Sequence, residues 1–207
     1  MIRLIIGIFL LLILIETSLA SAFMPKAFIG NFTQEKKDIN SSKKRVSQIE
    51  IKYSYPTNIY FKEFSEVETH YVCNSKKVWK YNPAFIPGEK GVVSIGDSSK
   101  FCFAKVFDVL KPGLKSNKLY EVKELSSKEF ELRFAEKVQN QINLQKLQLV
   151  FKSSEKIFTN LSKINIFYKE SKTPVTLLPK KIKIKASIPA SSFNFIIPEN
   201  TSRQKMQ

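Results

Sequence analysis

The sequence is poor in the residues that most enzyme chemistry needs. It holds one histidine, His70, and two cysteines, Cys73 and Cys102. Zinc sites need ligand clusters such as C-x-x-C or H-E-x-x-H, and neither occurs. There is no G-x-S-x-G and no P-loop. His70 and Cys73 could make a nucleophile pair only if their side chains met. Three residues apart on a strand, they point to opposite faces, so His70 reads as a surface histidine. Glu63, Glu66 and Glu68 flank a turn and read as solvated hairpin charges. The expectation is a protein that is not an enzyme, with no metal and no cofactor. Acidic residues are also scarce, at 18 Asp+Glu against 34 Lys+Arg, a net charge of +16. That balance favours an anionic partner without saying which kind.

Long apolar runs are few as well. Residues 4–15 (LIIGIFLLLILI) follow a single positive charge and precede Ala20-Ser21-Ala22, a small-x-small site. This is the layout of a secretory signal peptide, residues 1–22, cut after Ala22. As a helix the run spans about 18 Å, short of the ~30 Å hydrocarbon core, which argues against a retained anchor. No cysteine follows it, so there is no lipid attachment site. The expected mature domain is residues 23–207, exported and soluble. Export makes nucleic acid a poor partner and permits a disulfide. Cys73 and Cys102 are then either paired or two buried thiols, and spacing alone leaves both open.

What the chain does have is alternation and aromatic residues. Met24, Phe28 and Phe32 form a stripe that predicts a helix over residues 23–38, opened by Pro25. Residues 38–44 (DINSSKK) read as a polar loop. From there the period is two: residues 49–55, 59–64, 67–73 and 77–81 read as an antiparallel meander. Residues 83–113 break it, with three of the six glycines, Gly88, Gly91 and Gly96, falling before Phe101. A helix follows over 101–114, carrying Phe103, Phe107 and Leu110 as a candidate lid. Strands resume at 119–124, 129–135, 142–151, 161–168, 181–187 and 192–197. About ten antiparallel strands should curl towards a barrel or half-barrel. Lys181, Lys183 and Lys185 share one face of a strand. They read as a solvated or aggregation-resistant edge, or as a docking surface for an acidic partner.

Four segments, in order, resemble the periplasmic outer-membrane lipoprotein carriers of the LolA type. Residues 28–34 (FIGNFTQ) are similar to the family's F-x-x-x-F-x-Q opening, and residues 51–64 (IKYSYPTNIYFKEF) to its strand–Pro–strand hairpin. Residues 71–83 (YVCNSKKVWKYNP) resemble its W-x-Y-x-P hairpin, and residues 193–200 (FNFIIPEN) its closing F-x-F-x-x-P. The resemblance implies a mainly β fold: a half-open antiparallel β-barrel of about ten or eleven strands, with an α-helical lid over an apolar cavity. It implies a monomeric periplasmic carrier with acylated lipoproteins as cargo. An inner-membrane lipoprotein-releasing ABC transporter would supply that cargo, and an outer-membrane acceptor would receive it. Two other readings stay open: a lipid- or protein-binding sensor of the same shape, and the acceptor-type relative. The expected cavity lining is Phe61, Tyr71, Trp79, Tyr81, Phe130, Leu132 and Phe134 from strands, with Phe28, Phe32, Phe103, Phe107 and Leu110 from helices. The chain departs from the pattern at Tyr55-Pro56, where the family has Arg-Pro. That arginine is tied to lid movement, so its role cannot be carried over.

Overall fold

The computed structural model describes residues 23–37, 43–169, 171 and 173–206. The leader, the cleavage site after Ala22 and most of the 38–44 loop lie outside them. The fold is mainly β: a 12-stranded sheet, in the order β12-β6-β5-β4-β3-β2-β1-β11-β10-β9-β8-β7, that does not close into a barrel. The first half comprises β1 (Ala27–Lys37), β2 (Lys44–Ser54), β3 (Asn58–Phe64), β4 (Thr69–Cys73), β5 (Lys77–Asn82) and β6 (Gly91–Asp97). The second comprises β7 (Tyr120–Ser126), β8 (Glu129–Phe134), β9 (Leu144–Phe151), β10 (Leu161–Tyr168) and β11 (Val175–Lys185). The last strand, β12 (Thr201–Lys205), pairs parallel with β6; the other neighbours pair antiparallel.

Strand β1 corrects the helix expected at residues 23–38. A separation of four is one helical turn, but it is also an even number, so Phe28 and Phe32 share a face in a strand too. Tertiary pairing decides between the two: β1 is central, laddered to β2 on one side and β11 on the other. Gly30 belongs in that strand, because a Cβ there would sit 2.6 Å from the Phe32 ring. The expected helix over 101–114 is observed as two short helices, α1 (Ser98–Phe101) and α2 (Lys105–Asp108). A third, α3 (Glu136–Ile142), was not foreseen, and it trims the strand expected from residue 142 to a start at Leu144.

Two further corrections concern the ends of the meander. Residues 91–97, read as part of a glycine-rich break, form β6; there Gly96 makes room for Phe101, whose ring would lie 2.7 Å from an added Cβ. Residues 192–197, read as a strand, join no ladder among the described residues. A 3-10 turn (Ala190–Phe193) lays the segment across the outer face of β4 and β5. The Asn74 amide donates to the Phe193 carbonyl (3.3 Å) and Asn194 Oδ1 (2.9 Å) there. The alternation of Phe193 and Phe195 is real, but it serves packing against other side chains: Phe193 is buried, and Phe195 rests on Tyr81 and His70.

Candidate functional site: a covered apolar cavity

Side chains distant in strand order line one cavity. Ile51 and Phe61 come from β2 and β3, and Leu147, Leu149 and Ile164 from β9 and β10. The sheet therefore curls until its two halves face each other. The cavity measures about 460 Å³ and sits within the roughly 300–1,000 Å³ of small-molecule sites. Its walls are apolar except at the rim, where Gln34, Lys36, Glu63, Thr69 and Lys80 collect. Register explains the rim: Gln34 lies opposite Ser47, and Glu63 opposite Thr69, towards one end of the first half-sheet. The Glu63 carboxylate accepts from Ser47 Oγ (2.8 Å) and Gln34 Nε2 (3.2 Å), with Lys36 Nζ 3.8 Å away.

Residues 98–113, carrying α1 and α2, cover the cavity. Phe103, Val106, Phe107 and Leu110 point into it. Phe107 packs on Phe28 and Tyr53 at ring-centroid distances of 5.6 and 5.2 Å. Phe103 packs on Phe61 and Tyr71 at 5.8 and 5.2 Å. Such tilted and edge-on contacts add to the area that the rings bury.

Among the contacts that hold this cover to the sheet, three lie between Phe101 and Asp108. The first is covalent: Cys73 at the end of β4 is bonded to Cys102. The second is the Tyr71 hydroxyl, which donates to the Phe101 carbonyl and accepts from the Phe103 N–H at 3.0 Å. Burial pushes that hydroxyl up to about 12, so it stays a donor. The third is the Asp108 carboxylate at the end of α2. It accepts from the Tyr53 hydroxyl (2.7 Å), the Thr57 N–H (3.1 Å) and the Thr57 hydroxyl (3.2 Å). Burial first, then the Asp108 carboxylate, raises the Tyr53 pKa and keeps its proton in place. Lys111 Nζ also lies 4.9 Å from the centre of the Tyr55 ring.

Of the side chains expected at the cavity, Phe61, Tyr71, Phe103, Phe107 and Leu110 line it. Phe28, Phe32, Phe130, Leu132 and Phe134 are buried in the surrounding core, outside the lining. Trp79 and Tyr81 are a correction. They pair with Val72 and His70, whereas the cavity residues Tyr71 and Lys80 pair with each other. Period two then puts Trp79 and Tyr81 on the opposite, outer face. His70, expected at the surface, is half-buried there among Tyr60, Tyr81 and Phe195, with Nε2 2.8 Å from Glu68. The sequence reading missed Phe23 and Phe158, and also the walls from β9 and β10, although Leu147, Leu149, Ile164 and Ile166 alternate as inward residues should. Tyr168 lines the cavity too, and burial raises its pKa.

Among the described residues, no group of three or more His, Cys, Asp or Glu side chains is placed to hold a metal ion. No helix there is long and apolar enough to cross a membrane. No family model matches the chain, and no curated protein sequence matches it. Solved structures do. The chain is similar to a LolA superfamily protein from Nitrosomonas europaea, at 10% identity and a TM-score of 0.44, over 84% of this chain and 92% of that one. It is similar to a domain from Vibrio parahaemolyticus described as an outer membrane lipoprotein-sorting protein, at 10% identity and a TM-score of 0.38, over 81% and 89%. It is also similar to an uncharacterized conserved protein from Thermus thermophilus, at 8% identity and a TM-score of 0.41, over 87% and 92%.

Proposed function

We propose that this chain is a non-enzymatic carrier that holds the acyl chains of lipoproteins in the covered cavity and moves them across the periplasm. The observation that carries the reading is the cavity itself: about 460 Å³, walled by Phe, Leu, Ile and Val side chains, under a separate covering segment. A core packed for stability alone leaves few voids larger than a water molecule. An acyl chain placed there gains roughly 0.8 kcal/mol per buried methylene. The exported-type leader and the ordered motifs of the sequence point the same way. Under this reading residues 23–207 are the carrier domain, loaded by an inner-membrane ABC transporter and emptied into an outer-membrane acceptor.

The test is native mass spectrometry on the protein purified from the periplasm without detergent, with identification of whatever it releases. Acylated lipoproteins bound one to one support the carrier. Free fatty acid or phospholipid alone leaves a lipid-binding module and removes the transport role. An empty protein that also fails to release lipoproteins from spheroplasts overturns the reading.

A further inference from the structure

Strand β11 is paired along its whole length on one side only. Its ladder to β1 runs from Val175, opposite Lys36, to Lys185, opposite Ala27. Its ladder to β10 holds three residues, Val175, Thr176 and Leu177, and stops. Beyond Leu177, no strand among the described residues lies on that edge. Residues 178–185 therefore present a free strand edge about 26 Å long. Instead of β10, the chain beside that edge is the 3-10 turn Phe158–Asn160, which packs near it without joining it in a ladder. A groove of about 410 Å³ opens between them, lined by Phe23, Pro25, Ile157, Phe158, Ile184 and Lys185.

The charge on this edge is one-sided. Lys180, Lys181, Lys183 and Lys185 are exposed, and none forms an ion pair among the described residues. Their cross-strand neighbours on β1 do not neutralise them: Lys181, Lys183 and Lys185 face Asn31, Ile29 and Ala27. On the other face of the strand Ile184 is 49% exposed. Two copies of such an edge repel, because each brings the same row of ammonium groups. An extended segment with acidic residues on one face and apolar residues on the other meets none of that repulsion. Its carboxylates fall beside the lysines, its apolar side chains beside Ile184 and the groove, and its backbone continues the ladder.

We propose that residues 178–185 of β11 are a docking edge for an extended acidic segment of a partner protein, which joins the sheet as an added strand. The inference does not depend on what the cavity holds. The test uses the full chain and a labelled eight-residue peptide of alternating glutamate and valine. The expected result is saturable binding, with new hydrogen-exchange protection at amides within 178–185. The double substitution Lys181→Glu, Lys183→Glu should weaken it about tenfold or more while leaving the thermal transition in place. A peptide of the same sequence with alternate backbone nitrogens methylated keeps the charge and loses the ladder, so it should not bind. Equal binding by the methylated peptide overturns strand addition. So does protection elsewhere in the chain, or binding that survives the double substitution. Protection of the same amides that grows with protein concentration in the absence of peptide would make the edge a self-association site. Lysine-dependent binding to phosphatidylglycerol vesicles with no peptide binding would make it a membrane contact. Either result overturns the proposal.

Discussion

Replacing both Cys73 and Cys102 by alanine removes the covalent tie between cover and sheet. The bond joins residues 29 apart in sequence. Closing a loop of that size in the unfolded chain removes about 12 cal/mol/K of entropy, roughly 3.6 kcal/mol at 25 °C. For a domain of this length each kcal/mol corresponds to about 2–4 °C in Tm, so the double variant should melt about 7–14 °C below the parent. Alanine is the right replacement because both positions are buried, at 0% and 3% exposure, and a serine hydroxyl would need a partner there. The assay is thermal unfolding by circular dichroism on the oxidised parent and the double variant, with the reduced parent as a third sample. The reduced parent should fall with the variant. Hydrogen exchange should quicken most in residues 98–113, where Tyr71 and Asp108 still hold the cover but no longer act beside a covalent anchor. A Tm loss under about 2 °C would refute the reasoning, because the loop entropy would then be offset by residual order in the unfolded chain.

Other perturbations separate the cover, the cavity and the outer face. Asp108→Ala removes the acceptor for Tyr53 and Thr57 and should cost about 2–3 kcal/mol, read by urea unfolding, with faster hydrogen exchange at residues 103–110. Leu110→Trp fills the cavity from the cover; excluding about two methylenes of a fluorescent fatty-acyl probe should raise its Kd about fifteenfold. Trp79→Ala, on the outer face, should leave that Kd within about twofold, read by the same titration. Glu131, on the outer face of β8, is held down to about 2 from 4.5, chiefly by Lys146, with Arg133 and Gln148 adding. Its folded value lies below its unfolded one, so its stabilisation is complete above about pH 4.5 and is lost as pH falls towards 2. Glu131→Gln should flatten the pH dependence of unfolding in that window by about 2–3 kcal/mol and leave its slope near pH 7 unchanged.

Much of the sheet was legible in the sequence, and the errors have physical causes. Alternation marked β2 to β5, β8 and β10 because successive side chains of each strand point to opposite faces and the inward set is largely apolar. It failed at β1, where apolar residues four apart satisfy both periods and only the partners β2 and β11 choose. It also failed to orient β5. Aromatic Trp79 and Tyr81 were assigned inward over Lys80, on the assumption that the more apolar set faces the core. Here Lys80 sits at the polar rim, while the outer face carries its own apolar cover from Phe193 and Phe195. Nothing local to β5 announces a segment more than a hundred residues away. The cover was legible as a short apolar helix after a glycine-rich stretch. Its break into α1 and α2 follows from Cys102 and Tyr71 holding the chain between them.

The sequence resemblance left one position open: the hairpin that carries Arg-Pro in the lipoprotein carriers carries Tyr55-Pro56 here. In the structure this hairpin is tied to the cover. The charged group is a carboxylate on the cover, Asp108, and the hairpin supplies the donors, from Tyr53 and Thr57. The cover therefore has a permanent attachment at Cys102 and hydrogen-bonded ones at Tyr71 and Asp108, while its ends are held by Ser98, which donates to the Ser75 carbonyl, and by Tyr120, which donates to the Gly113 carbonyl. Their spacing in the chain matters. Cys102 and the Tyr71 contacts at Phe101 and Phe103 fasten the start of the covering segment, whereas Asp108 fastens it a turn and a half later, beyond the side chains of Val106 and Phe107. Releasing Asp108 would loosen the stretch that carries Phe107 and Leu110, between the covalent anchor at Cys102 and the Tyr120 hydroxyl that donates to the Gly113 carbonyl. Under the proposed carrier reading, that combination would let the stretch around Phe107 move while the cover stays tied to the sheet at Cys102.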